Sequence, residues 1–188
     1  TFEDGERMLA FANGAYQITV VDHSVARADV TLAGETPVSG PWTLSFPGGW
    51  DAPDKIDLPA LKPWTDLDDP AARHFSGTAI YQTSFRIEAL PTDTRLVMDL
   101  GKAAEIVGIA VNGKPVATLW APPFRADITP FVTPGDNRLE VRITNAWFNR
   151  LVYDAGLPEE RRKTWTINGP PANAPLRPSG LMGPVILR

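Results

Sequence analysis

The sequence predicts an all-β fold, an antiparallel two-sheet β-sandwich or jelly roll. Three observations carry this: short stretches alternating apolar and polar residues recur along the chain, 15 glycines and 19 prolines punctuate it, and helical periodicity is scarce. That glycine and proline content exceeds the average usage of about 12% and favours many short elements joined by turns. A chain of 188 residues, 43% hydrophobic and 21% charged, has room for one good core, or for one core with a short appendage.

Taken in order, Tyr16, Ile18 and Val20 alternate, as do the residues from Val25 to Leu32, and Asp22-His23-Ser24 between them reads as a turn. A hairpin is expected there. Ala33-Gly34-Glu35-Thr36-Pro37 breaks the pattern and Gly40-Pro41-Trp42 restarts it, so residues 1–37 read as a strand-rich lead-in from a preceding β domain and 38–188 as the sandwich itself. Trp42, Leu44 and Phe46 share one face of a strand. The proline-rich stretch from Pro47 to Pro70 is too irregular for a helix and reads as a long loop.

From Ala79 to Ile87, Tyr81, Phe85 and Ile87 lie on one face and Gln82, Ser84 and Arg86 on the other, as in a strand wet on one side. Leu96, Met98 and Leu100 repeat the pattern. The apolar run Ile106 to Val111 ends in Asn112-Gly113, which accepts positive φ at both central positions of a type I′ turn and makes Lys114 to Leu119 the return strand. Gly135-Asp136-Asn137 reads as the turn before a strand from Arg138 to Thr144, with Leu139, Val141 and Ile143 facing inward. Val185-Ile186-Leu187 closes the set, and a short helical turn is expected near Asp68 to Arg73.

The formal charge of −4, with one short basic run at Arg161-Arg162-Lys163, gives phosphate backbones little to bind, so no nucleic-acid partner is expected. Prolines and charges interrupt every apolar stretch before it reaches 18 residues, so no membrane span is expected either. The lack of cysteine excludes disulfides, a thiolate nucleophile and cysteine-held metals, and leaves the compartment open, with a periplasmic or secreted one favoured. The start at Thr1, with neither methionine nor a signal-peptide layout, reads as a processed or excised piece. No cofactor is called for, although calcium held by backbone and aspartate oxygens stays open.

Candidate chemistry is sparse. Asp66, Asp68 and Asp69 in one loop, or Asp154, Glu159 and Glu160 in another, could supply the two carboxylates of a glycosidase, but acids in such loops are usually solvated or capping. His23 and His74 are far apart in sequence, which argues against a serine triad or a histidine metal site and leaves His74 a structural, hydrogen-bonded role. Among six tryptophans Trp42 reads as core, whereas Trp50, Trp64, Trp120, Trp147 and Trp165 lie beside Pro, Asn and Asp in loops or at strand ends. Such rings can stack on sugar, plug the ends of a sandwich or bury against a neighbouring domain.

Val111-Asn-Gly-Lys114, then Trp120-Ala-Pro-Pro-Phe-Arg-Ala-Asp-Ile-Thr129, then Gly135-Asp-Asn-Arg-Leu-Glu-Val141 with Thr144-Asn145 resembles the sugar-binding-type, galactose-binding-like jelly roll of glycoside hydrolases. More narrowly, Gly40-Pro-Trp-Thr-Leu-Ser-Phe46, His74-Phe-Ser-Gly-Thr-Ala-Ile-Tyr81, Thr144-Asn-Ala-Trp-Phe-Asn-Arg-Leu151 and Pro178-Ser-Gly-Leu-Met-Gly-Pro184 resemble the C-terminal region of family 106 α-L-rhamnosidases over about residues 38–188. Leu151-Val152-Tyr153-Asp154 departs from an L-I-G-D type sequence at that place.

The resemblance implies a non-catalytic accessory domain of a parent enzyme that removes α-L-rhamnose from plant glycosides or polysaccharides. Its catalytic residues would lie in a separate (β/α) barrel of about 250 residues, which this chain is too short to contain. The implied partners are that catalytic domain and a plant or polysaccharide glycan. The candidate contact residues for sugar or for the neighbouring domain are Trp120, Asn145, Trp147, Asn149 and Arg150, with Trp64 and His74 second. In this reading Trp120 and Trp147 stack or wedge, Asn145 and Asn149 bond hydroxyls or backbone, and Arg150 pairs with a carboxylate. A free-standing carbohydrate-binding module and a small independent glycosidase using Asp66 or Asp154 are the rivals.

Overall fold

The computed structural model describes residues 2–3, 7–8, 10, 13–19, 25–31, 34–90 and 94–188. Two compact units make up the chain, Thr1–Glu35 with Arg188, and Thr36–Leu187. In the first, β1 (Phe2–Glu3) pairs with β2 (Arg7–Met8), and β3 (Gly14–Thr19) pairs with β4 (Val25–Val30), both antiparallel. Tyr16 opposes Ala28 and Ile18 opposes Ala26, so the alternating stretches pair as expected. Val20, the turn Asp22-His23-Ser24 and Leu32 fall outside the described residues.

The second unit holds β5 (Thr36–Pro37), β6 (Trp42–Ser45), β7 (Lys55–Leu58), α1 (Pro70–Arg73), β8 (Thr78–Ile87), β9 (Val97–Asp99) and β10 (Lys102–Ala104). It continues with β11 (Ile106–Val111), β12 (Lys114–Leu119), β13 (Arg125–Asp127), β14 (Gly135–Thr144), α2 (Phe148–Ala155), β15 (Gly180–Gly183) and β16 (Ile186–Leu187). One sheet runs β12-β11-β14-β8-β6-β7, a second runs β13-β9-β16-β5, and β10 pairs with β15. Among the described residues these strand pairs are all antiparallel, and one isolated parallel bridge joins Gly101 and Gly183.

Period-2 alternation sends Tyr81, Val107 and Val141 of the first sheet and Met98, Ala126 and Leu187 of the second into one buried cluster, which is the core of the expected sandwich. The hairpin at Asn112-Gly113 is present, with φ of 53° and 77° and Val111 paired to Lys114. Asn112 does more than turn the chain. Its Oδ1 accepts from the Arg138 N–H at 3.0 Å, and its Nδ2 donates to Asn137 Oδ1 at 2.8 Å.

Four details differ from the sequence reading. Gly135-Asp136-Asn137 is the start of β14, pairing with Ile87, Arg86 and Phe85, and the chain reverses just before it. Asn137 is buried because its amide closes that reversal, accepting from the Thr133 N–H and donating to the Thr133 and Gly135 carbonyls. The long loop contains the edge strand β7, whose Leu58 alone is buried. Short strands β10, β13 and β15 lack enough residues to show a period. Finally α2 occupies a stretch read as loop.

Where β8, β15 and the 3-10 turn Trp64–Asp66 meet, the Tyr81 hydroxyl accepts from Trp64 Nε1–H at 2.6 Å and from the Leu181 N–H at 3.1 Å. Gly180 lies against this pair at φ +97°, where a Cβ would fall 2.6 Å from both the Trp64 nitrogen and the Tyr81 oxygen. The turn and the penultimate strand are thereby tied to the centre of the large sheet. Tyr81→Phe keeps the ring but leaves two buried donors unpaired, and is expected to lower unfolding free energy by about 2–4 kcal/mol. Urea unfolding followed by tryptophan fluorescence checks this, and Gly180→Ala should cost at least as much.

Candidate functional site

The site is built where β14 ends. Asn145 is the first residue beyond it, and its side chain staples three segments together. Oδ1 accepts from the Gly77 N–H at 2.9 Å, and Nδ2 donates to the Phe75 carbonyl and to Ser179 Oγ, each at 3.0 Å. One turn later Asn149 donates to the Arg177 carbonyl at 2.8 Å and Ser179 Oγ at 3.2 Å, and accepts from the Arg177 N–H at 2.9 Å. Both asparagines are buried, and their amide hydrogens are committed to protein partners.

Helix α2 begins without a cap from its own Trp147, and Ser76 Oγ accepts the Arg150 N–H at 3.1 Å in its place. Its buried residues are Asn149, Arg150, Val152 and Asp154, so the face turned inward is mostly polar.

Arg150, 1% exposed, is the largest charged side chain buried at this end of the fold. Its Nη2 lies 2.8 Å from Asp154 Oδ1 without the alignment of a hydrogen bond, so that attraction is ionic. Nη1 donates to the Trp50 carbonyl at 3.3 Å, Asp51 Oδ2 lies 3.9 Å from Nη2, and the Trp50 and Tyr153 rings flank the guanidinium at 5.4 and 5.1 Å.

The other oxygen of Asp154 accepts from Thr164 Oγ1 at 2.6 Å, the Thr164 N–H at 2.7 Å and the Lys163 N–H at 3.0 Å. Burial pushes the Asp154 carboxyl up, but the Thr164 bonds and the Arg150 charge outweigh it and hold the group below the usual carboxylate value. Lys163 Nζ donates to Asp51 Oδ1 at 2.8 Å and to the Gly49 carbonyl at 2.6 Å, and that bond lowers the Asp51 carboxyl as well. An open cleft of about 480 Å³ lies against Asp51, Tyr153, Arg161 and Lys163.

Five of the sequence candidates therefore gather around α2. Trp147 is half exposed and packs on Trp50 at 5.3 Å between ring centres. His74 Nδ1 donates to the Pro70 carbonyl at 2.7 Å and its ring lies 5.0 Å from Tyr153, while Asn145, Asn149 and Arg150 lie beneath. Trp120, 84% exposed, follows β12, and the pairings of Leu119 with Val107 and of Ile106 with Thr144 put it at the same end of the sheet, two strands away.

Trp64 does not join them. It is fully buried, with Phe46 and Phe75 on its ring and its N–H held by Tyr81, which removes it from any ligand or partner surface. Sequence reasoning placed Trp50 only among the loop tryptophans and missed Asp51, Lys163 and Ser179, which contribute through long-range contacts. The spacing of Arg150 and Asp154, four residues apart as in a helical ion pair, was the legible signal for α2. Asp69, weighed as an acid, caps α1 by accepting the Ala72 N–H at 2.8 Å. Among the described residues no cluster of three or more His, Asp or Glu side chains could hold a metal ion.

No protein-family model matches the chain. Among solved structures it is similar to a rhamnosidase from Novosphingobium sp. PP1Y, at 41% identity and a TM-score of 0.76 over 86% of this chain and 16% of that one. A protein of Formosa agariphila provisionally named a β-glucuronidase is 41% identical over 123 residues, 64% of this chain and 11% of that protein. A β-glucuronidase from an uncultured Clostridium shares 26% identity at a TM-score of 0.52, over 60% of this chain and 22% of its own. The chain thus spans only about a sixth of the length of the first of these relatives and about a ninth of the second.

Asp154→Asn keeps the shape of the side chain but leaves Arg150 uncompensated, and is expected to cost about 3–5 kcal/mol of stability. Because Asp154 titrates below its unfolded value, its contribution is complete above about pH 4 and is lost as pH falls through the folded value. Urea midpoints measured between pH 2 and 7 should fall on the acid side for the natural chain and lose that part of the slope in the variant.

The polypeptide is an all-β, sandwich-like domain related to a segment of those glycoside hydrolases.

Proposed function

We propose that the chain is a non-catalytic accessory domain of an α-L-rhamnosidase-like glycoside hydrolase, whose role is to pack on a separate catalytic barrel. The observation that carries this reading is the match to the Novosphingobium rhamnosidase, which takes in most of this chain and only a small share of that enzyme. Residues 1–37 then belong to a preceding β domain.

Two features support it. Trp120, Trp165 and Ile167 are each more than 80% exposed, and large apolar side chains in that state favour cover by another protein surface. The acid most enclosed at the chain end, Asp154, is neutralised by Arg150 and bonded through Thr164, which suits support of a surface and not proton transfer. A second reading, direct contact with glycan, is favoured by Trp147, whose half-exposed ring backed by Trp50 can stack on a pyranose face.

The purified chain should release no 4-nitrophenolate from 4-nitrophenyl α-L-rhamnopyranoside above the buffer rate. Turnover that disappears in Asp66→Asn or Asp154→Asn, with the fold intact by circular dichroism, would establish the independent glycosidase instead. Trp120→Ser should leave the chain's own stability within about 0.5 kcal/mol, because the ring packs on little here, and should weaken association in a pull-down with the catalytic barrel.

A further inference from the structure

Helix α2 grips both ends of one long connection. Asp154, near its C-terminal end, accepts from the Lys163 and Thr164 N–H groups, while Asn149, near its start, donates to the Arg177 carbonyl and accepts from the Arg177 N–H. The Arg177 guanidinium also lies 3.9 Å from the centre of the Phe148 ring. Between these clamps residues 165–176 form a strap without strand or helix. Its three prolines, Pro170, Pro171 and Pro175, fix φ, and the Ala174 N–H closes a turn on the Pro171 carbonyl at 3.0 Å.

Ordering a loop costs conformational entropy, which burial of its apolar side chains normally offsets. Here Trp165 is 81% exposed and Ile167 82%, so the two contribute little to holding the strap that carries them. Large apolar side chains displayed from a clamped backbone have the form of an interface anchor, because the ordering cost is met before contact.

Charge narrows the partner. From Arg161 to Leu187 the sequence holds four cations, Arg161, Arg162, Lys163 and Arg177, and no acid, in a chain whose formal charge is −4. Lys163 is paired with Asp51, and Arg161 and Arg162 are exposed beside the strap's first clamp. The complement of this element is an apolar pocket rimmed by carboxylates.

Two apolar side chains bury too little to hold a chain on a bilayer unaided. A domain of the same polypeptide meets them at about millimolar effective concentration, where a small contact suffices. The matched part is only 16% of the Novosphingobium enzyme, so most of that polypeptide lies outside it. We propose that the strap docks this domain on the catalytic domain, with Trp165 and Ile167 inserted in an apolar pocket and Arg161 and Arg162 facing carboxylates on its rim. The proposal rests on the accessory-domain reading and names the surface that packs and the chemistry that receives it.

The chain has no cysteine, so a single introduced thiol reports the accessibility of its own position. The test is maleimide labelling of the full-length hydrolase, read by peptide mass spectrometry, with Lys114→Cys at the exposed β11–β12 turn as the reference. Ile167→Cys should react about tenfold more slowly than the reference, or slower still. Adding Arg161→Glu and Arg162→Glu should bring its rate to within about threefold of the reference. Equal rates at 167 and 114 with Trp120→Cys slowed would overturn the strap and leave the accessory reading standing, whereas equal rates at all three positions would remove both. Protection at 167 that survives the double charge reversal would overturn the acidic rim. Binding of the 188-residue chain to phosphatidylserine vesicles, lost in Trp165→Ser, would overturn the protein partner in favour of a bilayer.

Discussion

A guanidinium enclosed by protein is the constraint from which the end of this domain takes its form. Removing an arginine from water costs several kcal/mol, and a single carboxylate recovers that only if its remaining oxygen is satisfied too. Arg150 and Asp154 meet this condition by recruiting distant chain. Thr164 and Lys163 bond the carboxylate, the Trp50 carbonyl bonds the guanidinium, and Trp50 and Tyr153 cover its flanks. Helix α2, the loop at 49–51 and the segment at 163–164 are thus fixed relative to one another by this buried pair together with the Lys163–Asp51 pair.

The same end of the sandwich is closed by polar contacts where an apolar plug would be simpler. Asn145 and Asn149 clip the 75–77 and 177–179 segments to the end of β14, and Tyr81 ties Trp64 and Leu181 to the middle of the sheet. Directional bonds hold backbone position more tightly than apolar contact does, so the rings displayed above them are presented from a rigid base. Trp147 on Trp50 is the clearest case. A rigid base with exposed aromatic rings suits a domain that is held against something else.

What was legible in the sequence follows from where the periodicity lies. β8 and β14 alternate cleanly because each has one face on the core and one in water, and Asn112-Gly113 announces its turn because few other residues accept two positive φ values. β7 is an edge strand of four residues, Lys55–Leu58, whose alternation of charged and apolar residues is too short to stand out from the proline-rich stretch around it. Helix α2 was overlooked for a different reason. Its apolar residues Phe148, Leu151, Val152 and Ala155 stand at helical spacing, but over only two turns, and the residues it buries most deeply include the polar Asn149, Arg150 and Asp154. The candidate residues around it were found through family-like motifs, while their roles depend on Trp50, Asp51, Lys163 and Thr164, which are brought in from remote sequence. Trp64 was misplaced because a tryptophan beside proline resembles a loop aromatic until Tyr81 supplies a partner for its N–H.

The most direct measurement is a double-mutant cycle on the two buried charges, using Arg150→Met, Asp154→Ala and their combination in urea unfolding. If the ion pair organises the chain end, the combined variant loses far less stability than the two single losses added together, with a coupling of at least about 2 kcal/mol. Losses that add to within about 0.5 kcal/mol would mean that each side chain is held independently, and the account would fail at its centre.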